Sequence, residues 1–325
     1  NPFLSLKGVD DPVSVADRVF EDLQLDHPYY GAQSLQLLRS VLSLMELAGE
    51  APSPSHVLKY VSNEDELTHL LDRTSTSLEA RRLYAHRRQL GREWGKTFSG
   101  LTNALSLYTP PGARGSLFEG DGIDLLDILL KKQIVIFHLP VGLYPALSAA
   151  VGRILLRQIA ALGGSRDAFP KKLGDHPFFV TVDECHVFLS ETLAQSLAML
   201  RSARIQFTLA HQDLGQLETI SPAFERSVRS NTRTKMILAP RDAEQAEMIA
   251  RSLGTQTQYE HTFRYRRGWL GTHVNTGDAS LREVESFRLH PNALKGLRHL
   301  GQGALISPDG IRLLNLEPYP ILRTH

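Results

Sequence analysis

The spacing of apolar side chains divides the chain into two parts with different predicted structures. From about residue 12 to 110, apolar residues recur every three or four positions, as they do along the buried face of a helix. The predicted helices begin at Asp11-Pro12, cover residues 35–47, begin again near Glu64, and run from 77 to 108 until Pro110-Pro111-Gly112 stops the last one. This part of the chain therefore predicts an all-α block.

From about Ile123 onward, short apolar runs alternate with amphipathic segments. The predicted strands are Gln133–Leu139, Phe178–Asp183, Ile205–His211, Thr234–Ala239, Ala304–Ser307 and Ile311–Leu316, and the predicted helices between the first four cover 141–163, 189–203, 213–229 and 241–253. Runs of Val, Ile, Leu and Phe separated by helices indicate a parallel sheet covered on both faces. The segment from Tyr259 to Asp278, rich in Arg, Gly and aromatic residues, predicts a hairpin or a mobile loop.

Composition excludes several classes of protein. A single cysteine in 325 residues excludes an intramolecular disulfide framework and a multi-cysteine zinc site, and it fits a reducing compartment. The 13 histidines show no paired metal-binding spacing, so we expect no structural metal. Because 36 basic residues face 35 acidic ones, any contact with nucleic acid must come from a local patch. No apolar window reaches the length of a membrane span, so we expect the chain itself to be soluble and cytoplasmic.

Two polar strand ends carry the candidate chemistry. Asp183 and Glu184 follow an apolar strand, and ligands of doubly wound sheets bind at the carboxyl ends of strands. In nucleotide-hydrolysing domains the first such carboxylate supports magnesium and the second polarises the attacking water, although a solvated acidic turn has the same sequence. If the next predicted strand is a neighbour, Gln212 at its end reaches the same crevice to orient a water or sense a terminal phosphate; otherwise it is a surface amide.

The order of motifs around these residues resembles the conjugative coupling proteins of the TraG/TraD type, within the group of hexameric DNA-pumping ATPases that includes FtsK and HerA. The resemblance rests on DECHVFL, LRSARIQFTLAHQDLGQLE and SNTRTKMILAPRDAEQAEMIARSLGT in that order. It extends to NPF at the start, to IDLLDILLKKQIVIFHLP, to the helical block, and to LHPNALKGLRHLGQGALIS near the end. The resemblance thus covers nearly all of the chain.

The resemblance implies a RecA-like α/β fold, with a parallel sheet flanked by helices and an inserted all-α domain. Residues 1–11 would be the edge of the motor domain, 12–112 the all-α domain, and 113–325 the motor domain. The family's proteins are anchored at the cytoplasmic side of the bacterial inner membrane, form hexamers, and use ATP and Mg²⁺. They deliver a relaxase–DNA complex to a type IV secretion channel, so the implied partners are DNA, relaxosome proteins and channel proteins.

The resemblance also assigns roles to individual residues. Asp183 and Glu184 correspond to the Walker B pair, with Asp183 holding Mg²⁺ through a water, and Gln212 corresponds to the sensor glutamine. Arg201 falls where the family places an arginine that reaches the neighbouring subunit's nucleotide. A cation that stabilises the end of a helix is the alternative for Arg201. Weaker competitors for the same role are Arg204, Arg229 and Arg233.

The phosphate-binding loop GxxxxGK[ST] does not occur in the sequence. Gly91 to Thr97 is one residue short of this motif and lies in a predicted helical run, so we reject it as a phosphate loop. The family carries its loop upstream of the NPF-like motif, and we therefore expect it upstream of Asn1. On this basis we expect the 325-residue chain alone to be inactive and not to bind magnesium-ATP tightly.

Two basic stretches are candidates for DNA contact. Residues 81–100 contain six Lys or Arg and one Glu, with Tyr84 and Trp94 interleaved, and a solvated helix face is the alternative. The predicted hairpin carries three arginines and no acid from His261 to Trp269, which an ordinary exposed loop would also show. The candidate DNA-binding residues are Arg87, Arg88, Arg92, Lys96, Arg264, Arg266 and Arg267.

Three hypotheses about function are consistent with the sequence. The first is a coupling-type DNA translocase ATPase, and the second is another HerA-like or FtsK-like ATPase for DNA processing or secretion assembly. The third is a non-catalytic module whose helical block binds a partner protein. Cys185 and His186 are consecutive and leave the strand end in different directions, so they do not form a nucleophilic dyad, and we expect them to pack in the fold.

Overall fold

The structure of the chain is a computed structural model. It describes residues 3, 10–21, 23, 28–110, 118–119, 122–168, 173–174, 176–238, 240, 243–267, 273–297, 299 and 301–317, and it describes only the backbone of 261–267 and 273–280. Two compact units are present, Asn1–Gln212 and Asp213–His325, and each is described by itself.

The helices of the first unit are α1 (Pro12–Phe20), α2 (Pro28–Leu47), α3 (Pro54–Ser62), α4 (Glu64–Arg73), α5 (Leu78–Leu90), α6 (Trp94–Ser106), α7 (Leu125–Lys131), α8 (Pro145–Ala168) and α9 (Glu191–Ser202). Its strands are β1 (Phe178–Val182) and β2 (Ile205–Leu209). The second unit contains α10 (Leu214–Glu218), α11 (Pro222–Asn231), β3 (Lys235–Leu238), α12 (Ala243–Leu253), β4 (Thr255–Arg267), β5 (His273–Phe287), α13 (Pro291–Lys295), β6 (Gln302–Ser307) and β7 (Gly310–Asn315).

Helices α1 to α6 bury one continuous apolar cluster, which includes Leu37, Phe98 and Leu101 and extends to Ile154 on α8. The predicted start of α1 is confirmed, because the Asp11 side chain accepts a hydrogen bond from Ser14 N at 2.7 Å and Ser14 Oγ accepts one from Asp11 N at 3.1 Å. This reciprocal capping satisfies amide groups that a helix start otherwise leaves without partners.

The single helix predicted over residues 77–108 is wrong, because the structure has two. The helix begins next to residue 77 as expected, with Ser77 as its cap, but α5 ends at Leu90. Gly91 has φ of 48°, a conformation that a helix cannot continue, and a 3-10 turn over Gly91–Glu93 leads into α6. Apolar spacing continued across this break, since both helices bury their faces in the same core.

Strands β1 and β2 pair in parallel, with Phe178 opposite Ile205 and Val182 opposite Leu209. Helices α8 and α9 pack together beside them. Within the described residues these two helices lie on one face of the pair, and the Phe179 side chain on the other face is 69% exposed. Alternation of exposed and partly buried residues along β1 follows from this one-sided cover.

The predicted strand Gln133–Leu139 is also wrong as a strand. The segment has no regular secondary structure, and Ile134 and Ile136 are 93% and 87% exposed. Among the described residues, no backbone hydrogen bond joins 134–138 to a neighbouring segment. An apolar run becomes a strand only when another strand accepts and donates its backbone hydrogen bonds, and sequence pattern alone does not supply that partner.

In the second unit, β3, β6 and β7 form an antiparallel sheet in that order. Helices α12 and α13 contact each other, and their apolar residues Ala246, Ile249 and Leu294 share a cluster with Ala304 of β6. Strands β4 and β5 pair as a separate antiparallel hairpin, which confirms the hairpin predicted over Tyr259 to Asp278. The predicted helix 213–229 is interrupted before Pro222, where Ser221 caps a new helix, α11.

The boundary between the two compact units falls after Gln212 in the sequence, whereas the sequence analysis predicts domain boundaries after residues 11 and 112; those boundaries stay a prediction. Within the described residues, one helix is long and apolar enough to span a membrane, over Pro145–Arg166, and half of that stretch is buried in the protein. A core helix of a soluble protein meets the same criterion.

Two consecutive glycines on α8 provide a test of its packing against α9. A β-carbon at Gly163 would overlap the buried Leu200 side chain, whereas one at Gly164 would meet no atom within 4 Å. We expect Gly164→Ala to stabilise the fold by up to about 1 kcal/mol through helix propensity. Gly163→Ala should be less stable than Gly164→Ala by at least about 1 kcal/mol in urea unfolding, because it overfills the interface. Equal stabilities would contradict this packing.

Candidate functional site

The parallel pairing of β1 and β2 continues past the strand ends and brings Glu184 and Gln212 together. Ala210 N donates to Val182 O at 2.9 Å, and Cys185 N donates to Ala210 O at 2.9 Å. The segments that follow β1 and β2 therefore still run side by side where the polar residues begin. Gln212 Nε2 donates a hydrogen bond to Glu184 Oε1, so the two strand ends that the sequence singled out form one site.

Glu184 adopts a left-handed backbone conformation, with φ of 46° and ψ of 47°. For a residue with a β-carbon this conformation costs about 1–2 kcal/mol, and such strain is concentrated at functional sites. Local hydrogen bonds hold the turn: Glu184 N donates to Asp183 Oδ1 at 2.9 Å, and Glu184 O accepts from Val187 N at 3.0 Å. The exposed Asp183 carboxylate thus lies beside the strained Glu184 at the same edge of the sheet.

The residues after Glu184 form a 3-10 turn, Cys185–Val187. Cys185 is fully buried, and burial, followed by the negative charges of Glu184 and Asp183, raises the pKa of its thiol to about 11. The thiol is therefore protonated at neutral pH and inaccessible, as expected of a packing residue. The neighbouring ring differs, because His186 Nδ1 lies 3.5 Å from Glu184 Oε2. Sequence reasoning missed this contact, since it depends on the turn.

Arg201 does not join the Glu184–Gln212 site. It is exposed in the last turn of α9, just before β2 begins, whereas Glu184 and Gln212 follow the opposite ends of the strands. Its assignment as an arginine that reaches a neighbouring subunit stays a prediction. Among the competitors, Arg204 N donates to Arg201 O at 3.0 Å, and Arg229 Nε lies 3.2 Å from Glu225 Oε1.

Of the residues on α5 and α6 that are predicted to contact DNA, some are exposed and one is already paired within the protein. Arg87 donates to Glu64 Oε2 at 2.9 Å and also to Thr68, so its charge is already paired within the protein. Trp94 is buried against Phe98, with ring centroids 4.5 Å apart, so this indole is not exposed for contact with nucleic acid. The exposed residues of this stretch include Arg88, Arg92, Lys96 and Tyr84. The side chains of Arg264, Arg266 and Arg267 lie outside the described residues.

The donor set at the strand ends fits Mg²⁺ bound with a nucleotide. Mg²⁺ prefers oxygen ligands, keeps several waters, and is held in such sites by one or two carboxylates together with phosphate oxygens. The exposed Asp183 carboxylate can supply that support. Among the described residues, no group of three or more His, Cys, Asp or Glu side chains is arranged to hold a metal ion by itself.

Comparison with known proteins gives one family match and several structural matches. Residues 177–298 match the family model described as the TraM recognition site of TraD and TraG. The unbound monoclinic form of the bacterial conjugative coupling protein TrwBΔN70 matches with a TM-score of 0.64 and 16% identity, over 98% of this chain and 72% of that one. TrwB in complex with the non-hydrolysable ATP analogue ADPNP matches with a TM-score of 0.62 and 17% identity, over 98% and 73%. No curated protein sequence matches the chain significantly.

The structural matches and the parallel sheet flanked by helices define an α/β protein with a RecA-like fold, as the sequence predicted. The family match covers β1, β2 and the strand ends, so residues 177–298 resemble the corresponding part of the TraD and TraG proteins. The resemblance predicted from sequence motifs is therefore confirmed.

Proposed function

We propose that this chain belongs to a conjugative coupling protein of the TraG/TraD type and is the motor of an ATP-dependent DNA translocase, which hydrolyses magnesium-ATP and drives DNA toward a type IV secretion channel. The observation that carries the proposal is the hydrogen bond from Gln212 to the strained Glu184 carboxylate, beside Asp183, at the carboxyl ends of two adjacent parallel strands. Carboxylates and an amide in this position can polarise and orient a water next to a terminal phosphate.

Each residue of the site has a separate part in this proposal. Asp183 would hold Mg²⁺ through a water, and Glu184 would accept a proton from the attacking water. Gln212 would orient that water or contact the terminal phosphate. The bound magnesium-ATP supplies the phosphoryl group, with its charge offset by the metal. The complex of TrwB with ADPNP supports nucleotide binding by a protein of the same fold.

The proposed partners follow from the family match and from exposed charge. A family model named for TraM recognition supports contact with a relaxosome protein of that type. Arg88, Arg92 and Lys96 are exposed cations that can contact DNA phosphates. We further propose that the full-length protein is a hexamer at the cytoplasmic side of the inner membrane, in which Arg201 reaches the nucleotide of the adjacent subunit.

DNA-stimulated ATP hydrolysis by the full-length protein tests this function. Reversing the charges of Arg88, Arg92 and Lys96 to Glu should weaken DNA binding and lower the slope of log affinity against log salt by up to about 2.7, since each phosphate contact contributes about 0.9. Basal hydrolysis should persist, because none of the three lies at the strand ends.

Reversal of the exposed Arg312 on β7 is the matched control and should leave the salt slope unchanged. A slope in the triple variant equal to that of the unaltered protein would contradict DNA contact at these helices. An absence of hydrolysis by the unaltered protein, with or without DNA, would instead favour the non-catalytic, partner-binding module.

A further inference from the structure

We infer that His186 is a positioning residue that holds the second oxygen of the Glu184 carboxylate. This inference rests on the proposed function, in which Glu184 accepts a proton from water. His186 Nδ1 lies 3.5 Å from Glu184 Oε2, while Gln212 Nε2 donates to the other oxygen, Oε1. The carboxylate is therefore bracketed by two side chains, one on each oxygen.

The buried state of the ring nitrogen supports a bond to Glu184. His186 Nδ1 is shielded from solvent and makes no hydrogen bond within the described residues. A buried polar atom without a partner costs about 1–3 kcal/mol. The 3.5 Å separation from Glu184 Oε2 is just beyond the usual hydrogen-bond range of 2.7–3.2 Å, so a shift of a few tenths of an ångström forms the bond. A neutral ring with its proton on Nδ1 is the donor.

The backbone determines where this ring lies. The left-handed Glu184 reverses the chain into the 3-10 turn, and Leu189 N donates to Cys185 O at 2.9 Å to close the next turn. Buried Cys185 and Phe188 anchor it, and Phe188 packs so closely on α8 that a β-carbon at Gly152 would overlap its ring. His186 is thus carried on a rigid segment, as a residue that positions another must be.

A second support on Glu184 has a definite use in the proposed function. The Gln212 amide nitrogen carries two protons, but a rotation of the side chain that brings the amide onto a terminal phosphate or its attacking water takes Nε2 away from Glu184 Oε1. When Gln212 turns toward the phosphate, the carboxylate loses the bond at Oε1, and His186 keeps its orientation through Oε2. A misplacement of the reacting groups by about 1 Å can cost roughly a hundredfold in rate.

Substitutions at position 186 separate the effect of the Nδ1 donor from the effect of the size of the ring. Asn at position 186 places an amide nitrogen near the position of Nδ1, whereas Leu fills similar space without a donor. In the full-length protein, we expect His186→Leu to lower kcat for ATP hydrolysis by roughly 10- to 100-fold, with KM for ATP unchanged. His186→Asn should restore most of kcat. His186→Gln, whose amide nitrogen lies near the position of Nε2, should resemble Leu.

A readout without nucleotide tests the contact itself. Imidazole ¹⁵N chemical shifts of the 325-residue chain should show His186 as the Nδ1–H tautomer, and Glu184→Ala should abolish that preference. An Nε2–H tautomer, or equal kcat in the Leu and Asn variants at equal thermal stability, would overturn the inference. If the unaltered protein shows no hydrolysis at all, the proposed function fails, and the tautomer still decides whether His186 holds Glu184.

Discussion

Replacing Glu184 by Gln is expected to lower the ATP turnover number of the full-length protein by at least about a hundredfold, while nucleotide affinity is retained. The amide keeps the size of the side chain and can still bond to Gln212, but it cannot accept a proton from water. Affinity should persist because the proposed Mg²⁺ support, Asp183, is unchanged. Steady-state hydrolysis and equilibrium binding of a fluorescent ATP analogue measure the two quantities.

Glu218→Gln is the matched control for this experiment, because Glu218 is an exposed glutamate at the end of α10. Its turnover should equal that of the unaltered protein. Normal turnover in Glu184→Gln would contradict the assignment of Glu184 as the proton acceptor. Loss of both turnover and nucleotide affinity would show that Glu184 acts mainly in binding.

Replacing Arg166 by Met is expected to lower the free energy of unfolding by about 3–5 kcal/mol, the largest stability effect that we expect in the first unit. The buried guanidinium at the end of α8 donates to Gly174 O at 2.9 Å, to Ala203 O at 3.2 Å and to His176 O. It ties α8 to the segments that enter β1 and β2. Methionine fills similar space but leaves these carbonyl groups without that donor.

Arg201→Met is the control for the loss of an arginine, because Arg201 is an exposed residue in the last turn of α9, just before β2. Its free energy of unfolding should stay within about 0.5 kcal/mol of the unaltered chain. Urea unfolding followed by circular dichroism measures both variants. Equal stability of the two would contradict a structural role for the Arg166 hydrogen bonds.

Much of the local structure could be predicted because its causes lie close together in the sequence. Asp11 and Ser77 cap helices through bonds to amide groups three residues ahead, and these starts are confirmed. The predictions of β1 and β2 are also confirmed, because a short apolar run bounded by polar residues is a local signal for a strand. Gly91 interrupts the helix predicted over residues 77–108, because its positive φ ends α5 although the apolar spacing continues.

The candidate site was predictable in its parts but not in its arrangement. Asp183, Glu184 and Gln212 were singled out because each follows an apolar strand, yet their proximity depends on β1 and β2 being neighbours. His186 was missed because its ring meets Glu184 only when the chain turns left-handed at that residue. The burial of Trp94 likewise depends on helices that contact it from elsewhere in the chain.

The alternation of helices and strands, the polar residues at the strand ends and the resemblance to coupling proteins could all be predicted from the sequence. These properties depend on side-chain type and on spacing over a few residues. Three features depend on the tertiary structure: Gln212 bonds to Glu184, Arg201 lies at the other end of the strands, and residues 133–139 pair with no strand in the part of the chain that the structure describes. Such outcomes depend on which distant segments meet, because a hydrogen bond or a buried contact needs both partners in place.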